Sequence, residues 1–124
     1  MQIYEHLSDL PPLSCCLTIG FFDGMHLGHQ AVLKKLLEAA KEENVQPALL
    51  SFRNHPRSVL KPDSHLDFIT PLLQRLELIE KAGVQTLFLL PFTLEFSRQS
   101  PEEFLKALTD TLELKRLILG HDAL

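Results

Sequence analysis

The sequence predicts an α/β fold, a parallel sheet wound by helices on both faces, and three observations carry that expectation. Short apolar runs alternate along the chain with segments of helical periodicity. The runs are almost continuously apolar, as strands covered on both faces must be. Each run leads at once into a cluster of Gly, Pro and polar residues. These clusters would therefore line up outside the carboxyl ends of the strands, where such sheets bind ligands.

The first run, Cys15-Cys16-Leu17-Thr18-Ile19, reads as a buried strand over about 14–20. Neighbouring residues of a strand point to opposite faces, so Cys15 and Cys16 are poorly placed to bond each other, and reduced, structural thiols are expected. From Gly28 to Glu43, Val32, Leu33, Leu36, Leu37 and Ala40 share one face of an amphipathic helix. Pro47 to Phe52 is a second buried strand. A polar, proline-interrupted loop follows from Arg53 to about Ile69. Thr70 as N-cap and Pro71 at the first helical position open the next helix, with Leu72, Leu73, Leu76 and Ile79 as its apolar face and Gly83 as its end. Thr86 to Leu90 is the third strand. Ser100-Pro101-Glu102-Glu103 is a capping box, and the helix it opens buries Phe104, Leu105, Leu108 and Leu112. Arg116 to Leu119 is the fourth strand, predicted to lie exposed at an edge and so to invite self-association. Right-handed crossovers turn this order into a Rossmann-like, doubly wound sheet.

At 124 residues the chain has the size of one domain. Its formal net charge of −4 argues against a nucleic-acid partner held by a broad basic surface. No apolar run approaches the length of a membrane span, and Met1 to Leu10 carries charges without the apolar core of a secretory signal. A cytoplasmic protein with no membrane partner is expected.

The most informative segment is Gly20-Phe21-Phe22-Asp23-Gly24-Met25-His26-Leu27-Gly28-His29. It lies between the first strand and the first helix. A helix N-terminus carries unpaired N–H groups and a partial positive charge, which suit phosphate. Gly20, Gly24 and Gly28 would let the backbone approach it, and His26 and His29 would donate hydrogen bonds into the site. Asp23 has two readings, as a cap of the following helix or as holder of a water on Mg²⁺. Phe21 and Phe22 are most simply packing residues. Two histidines at i, i+3 with Asp23, and His55 or Asp122 as a third ligand, could instead hold zinc, but the chain has no HExxH and no CxxC. The segment lacks GK[ST] and fails the GxGxxG spacing, which disfavours a P-loop kinase and a dinucleotide redox domain.

His26-Leu27-Gly28-His29 matches the HxGH signature of the nucleotidylyltransferase superfamily, and Thr18 to Gln30 resembles the TIGNFDGVHLGHQ opening of bacterial FAD synthetases, the bifunctional riboflavin kinase/FMN adenylyltransferases. Phe21 stands where that family usually has Asn, and Met25 departs conservatively. Ser51-Phe52-Arg53-Asn54-His55-Pro56 resembles TFxPHP, with Asn54 in place of a proline. Leu90 to Ser97 resembles LPFTxEFS, Ser100 to Phe104 resembles SPEEF, and Leu119-Gly120-His121-Asp122 resembles VGxDF. The resemblance runs from about residue 12 to the last residue. It implies a nucleotidylyltransferase-type sheet and FMN adenylyltransferase activity, ATP and FMN giving FAD and pyrophosphate, with Mg²⁺ accompanying ATP. It also implies that His26 and His29 are catalytic. Gly20, Phe22, Asp23, Gly24, Gly28, Ser51, His55, Pro56 and Asp122 would line the binding sites, with His55 and Pro56 on the flavin side and Asp122 near the nucleotide. The family's ISSTxIR-like segment and its riboflavin kinase domain have no counterpart in residues 1–124, so the resemblance covers the first part of an adenylyltransferase domain.

Overall fold

A computed structural model of the chain describes residues 1–22, 27–54 and 72–119. Five strands, β1 (Gln2–Tyr4), β2 (Ser14–Ile19), β3 (Gln46–Phe52), β4 (Thr86–Leu90) and β5 (Glu113–Ile118), form one sheet in the order β1-β4-β3-β2-β5. Every pairing is parallel, with Leu17 opposite both Ala48 and Leu117, and Leu50 opposite Phe88. The helices are α1 (Leu27–Glu43), α2 (Leu72–Lys81), the short α3 (Leu94–Ser97) and α4 (Pro101–Thr109). The Rossmann-like α/β architecture expected from the sequence is the one observed.

The winding explains the two cores. From β2 the chain steps outward to β3 and then β4. It next crosses back to lay β5 on the far side of β2. Right-handed connections that run in opposite directions put their helices on opposite faces. Cys16, Leu49, Leu87 and Leu89 accordingly pack against Leu33, Leu36, Ala39 and Ala40 of α1 and Ile79 of α2. Cys15, Leu17, Ala48, Leu50, Phe88 and Leu90 pack on the other face against Phe104 and Leu108 of α4 and against Leu112. The two cysteines are thus buried on opposite faces and free. Burial, with the neighbouring thiol second, pushes the Cys15 thiol up to about 11, and burial also raises Cys16. Both stay protonated and unreactive near neutrality.

Several expectations need correction. β1 was not expected, because three residues with no apolar pattern do not announce a strand. It forms by pairing its backbone with the open side of β4. β5 starts three residues before the expected Arg116 and ends at Ile118, leaving Leu119 beyond it. It does lie at an edge of the sheet. The apolar face assigned to α2 is wrong at its start. Leu73 is 73% exposed and Leu72 also faces solvent, while the fully buried residues of this helix are Ile79 and Arg75. A guanidinium takes the inward position there because the strand ends beneath it offer acceptors. Thr70 and Pro71, proposed to start this helix, lie outside the described residues. Gly83 does end it, with φ at +101°.

Candidate functional site

Strand order β4-β3-β2-β5 reverses direction at β2, so the crevice beyond the carboxyl ends of β2 and β5 is the topological switch point where open α/β sheets bind ligands. β2 ends at Ile19, and the turn of Gly20 to Phe22 follows it at that crevice. α1 leaves it, and its first turn carries Gly28 and His29. Geometry and motif therefore converge on one place. Of the proposed site residues, Gly20, Phe22, Gly28, His29 and Ser51 are brought to this rim. Asp23, Gly24, His26, His55, Pro56 and Asp122 lie outside the described residues.

Close packing fixes the turn after β2. The Gly20 amide donates to the Leu50 carbonyl at 3.0 Å, extending the pairing with β3. Phe22 then takes a left-handed backbone, φ +53°, which a bulky residue adopts only when its surroundings compel it. Its ring is buried and stands over Gly20, where an added Cβ would come within 2.8 Å of the ring edge. The same ring meets the half-buried His29 imidazole, with centroids 5.0 Å apart. Gly20 is thus demanded first by Phe22, not by φ. Gly28 is different. A Cβ there would meet nothing within 4 Å, so the space in front of it is open in the chain as described.

Ser51 sits fully buried near the end of β3, where its hydroxyl donates to the Phe21 carbonyl at 3.1 Å. The residue that sequence reasoning missed is Arg75. Only 1% exposed, it sends one terminal nitrogen, Nη2, to the Phe21 carbonyl at 2.9 Å, to the Ser51 hydroxyl at 2.8 Å and to the Phe52 carbonyl at 3.1 Å. Its one signal in the sequence is register, since position 75 lies four residues before Ile79, on the same side of a 3.6-residue repeat.

Further bonds tie the strand ends together. Asn54, which replaces a proline of the resembling motif, donates to the Phe92 carbonyl at 2.9 Å and accepts from the Phe92 amide at 2.7 Å. It mimics a strand residue and joins the segments after β3 and β4. Arg53 pairs with Glu5, just after β1. Phe21, Phe52, Phe92, Phe96 and Phe104 make a continuous aromatic wall, with successive ring centroids 4.9–5.5 Å apart. Beyond β4, a cavity of about 610 Å³ opens between His6, Leu7, Leu90, Pro91, Phe96 and Arg98.

Among the described residues, no group of three His, Cys, Asp or Glu side chains could hold a metal ion. Nor, among them, is any helix long and apolar enough to cross a membrane.

Comparison with known proteins places these features in context. The family described as FAD synthetase matches residues 11–124. A bifunctional riboflavin kinase/FMN adenylyltransferase of Listeria monocytogenes is 36% identical over 107 residues, covering 86% of this chain and 34% of that protein. One from Bacillus subtilis is 32% identical over 119 residues, 95% of this chain and 38% of that protein. A Listeria protein named FAD synthetase is 34% identical over 107 residues, 86% of this chain and 43% of its own length. The chain thus spans about a third to two-fifths of the curated relatives it matches. A crystal structure titled as a macrolide-efflux protein from Streptococcus pneumoniae superposes with a TM-score of 0.81 over 98% of this chain and 43% of that one, at 24% identity, a likeness of fold.

Proposed function

Because the chain belongs to the FAD synthetase family, we propose that it supplies the nucleotide-binding part of an FMN adenylyltransferase, which joins the adenylyl group of ATP to FMN in making FAD from riboflavin. The observation that best supports this reading is the β2/β5 switch point itself, with the turn after β2 on one side and Gly28 and His29 in the first turn of α1 on the other. A phosphate oxygen of FMN attacks the α-phosphorus of ATP. The new P–O bond forms as the bond from that phosphorus to the bridging oxygen breaks, and pyrophosphate leaves. No covalent enzyme intermediate is needed. The protein must align the two substrates and stabilise negative charge on the oxygens of the transferred and leaving groups. His26 and His29 would donate to those oxygens, and the open space before Gly28 would admit the phosphates. Mg²⁺ enters bound to ATP, as part of the substrate. FMN would extend along the rim towards β3 and β4, past Ser51 and the half-buried Phe21, Phe92 and Phe96, which offer apolar side chains to a flavin.

The test is incubation of the protein with ATP, Mg²⁺ and FMN, reading FAD. Replacing His29 by Ala should lower turnover by about 10²–10³-fold, the scale of losing one preorganised donor. Its stability should change by about 1 kcal/mol, from the lost packing on Phe22. Unchanged turnover in this variant would overturn the mechanism. Binding of ATP and FMN without turnover would identify the chain as a binding module. Loss of binding on chelation, restored only by Zn²⁺, would favour metal-ligand histidines.

A further inference from the structure

Arg75 makes an arrangement that the motifs do not explain. Nη2 is the meeting point of two segments that come from different parts of the sequence. The Phe21 carbonyl belongs to the turn leading into His26 and His29, and Ser51 and the Phe52 carbonyl belong to the end of β3. Ser51 closes the triangle by donating its own hydroxyl to the Phe21 carbonyl. Arg75 and Ser51 are buried and the Phe21 end is half-buried, so water competes little for these bonds. Charge-assisted donors in such surroundings are the strong ones. The pairing of β2 with β3 runs out just here, with its last backbone bond from Gly20 to Leu50. Past that bond, Arg75 and Ser51 take over the work of the ladder.

We propose that Arg75 is a positioning residue that locks the turn after β2 to the end of β3, so that the two motif-bearing segments move as one body. In the adenylyltransferase reading, on which this functional consequence rests, one segment serves the nucleotide and the other the flavin nucleotide. Arg75 would then set the alignment between attacking phosphate and α-phosphorus without touching either. Misalignment of reacting groups is felt in turnover more than in affinity. All three acceptors surround a single nitrogen, which makes a further demand. A lysine ammonium ends one atom short of Nη2 but keeps the charge and brings three donors to the same group of acceptors, whereas the shorter, uncharged methionine brings none.

The experiment compares Arg75→Met with Arg75→Lys by amide hydrogen exchange in the ligand-free protein, followed by FAD formation from ATP, Mg²⁺ and FMN. In Arg75→Met the Gly20 and Arg53 amides, which bond Leu50 and Leu90 across the sheet at this rim, should exchange about tenfold faster together, while amides in the middle of β4 keep their protection. Arg75→Lys should restore both to within about threefold of the original protein. Turnover in Arg75→Met should fall more than either substrate's KM changes, with recovery in Arg75→Lys. Unaltered exchange at Gly20 and Arg53 in a folded Arg75→Met protein would overturn the lock. If Arg75→Met does not fold, Arg75→Lys decides: faster exchange at both amides in that variant would equally overturn the three-acceptor geometry. A rim that loosens as expected in a protein that makes no FAD would leave the lock standing and sink the adenylyltransferase reading instead.

Discussion

At the scale of single residues, the turn after β2 is held by crowding. Phe22 is forced into a left-handed backbone, Gly20 yields the space for its ring, and His29 packs against the same ring. Gly20→Ala should therefore destabilise the fold by about 1–3 kcal/mol, the usual scale of overpacking a full core, as measured by urea unfolding. The penalty should shrink in a Phe22→Leu background, where the aromatic edge is gone. An equal penalty in both backgrounds would mean that the clash lies elsewhere. Cys15 makes a second residue-scale case. Its thiol is raised to about 11 by burial, with Cys16 adding to it. A group whose pKa is raised by folding contributes stability that is present below its unfolded value and lost as pH climbs towards the folded one. Stability should thus fall between about pH 9 and 11, and Cys15→Ala should flatten that part of the curve. A pH profile over this window that is unchanged in Cys15→Ala would rule out its contribution.

Elements were legible in the sequence where periodicity and caps agreed, and illegible where tertiary partners overrode them. Ser100 was read as a cap from four letters. Its hydroxyl accepts from the Glu103 amide at 3.1 Å, with Pro101 in the first turn of α4. Ser100→Ala should cost about 1 kcal/mol in urea unfolding, and Ser100→Asp should recover most of it. A loss just as large in Ser100→Asp would place the effect in packing instead. β4 was read from its apolar run alone, and all of its residues are buried. By contrast, the leucines of α2 suggest a leucine-faced helix. Its inward side carries Arg75, because the acceptors that hold a buried guanidinium come from β3 and from the turn after β2, elements distant in the chain. β1 is illegible for the same reason, since it depends on the backbone groups of β4 and on the packing of Tyr4 against Phe88, neither of which its three letters display. Asn54 looked like a lapse from a proline-containing motif. Its paired bonds to Phe92 give it a role that no pattern of the chain's own residues displays.

For the molecule as a whole, topology decides where a ligand can sit, and that makes the proposed site testable without turnover. The rim offers two separate recesses. One is the crevice beyond β2 and β5, created by the reversal of strand order and bordered by the first turn of α1. The other is the cavity beyond β4, bounded by His6, Phe96 and Arg98, which lies two strands away from β2. Neighbouring strands are about 4.8 Å apart, so the two recesses are separated by roughly 10 Å, a distance that a molecule joined from two nucleotides would bridge but that one triphosphate need not. Helix N-termini favour anions, and among the described residues α1 starts at the edge of the first recess with no acidic residue in its first turn, whereas α4, which starts beside the second recess at Gln99 and Glu103, carries Glu102 and Glu103 in its own. ATP with Mg²⁺ should therefore slow amide exchange in the first turn of α1 and at the carboxyl ends of β2 and β5. Ser14 and Gln46, at the opposite ends of β2 and β3, should be untouched. FMN added afterwards should extend protection towards Arg53, Asn54 and Phe92. Protection by ATP that appears first around Phe96 and Arg98 would put the nucleotide beyond β4 and leave the switch point without its expected ligand.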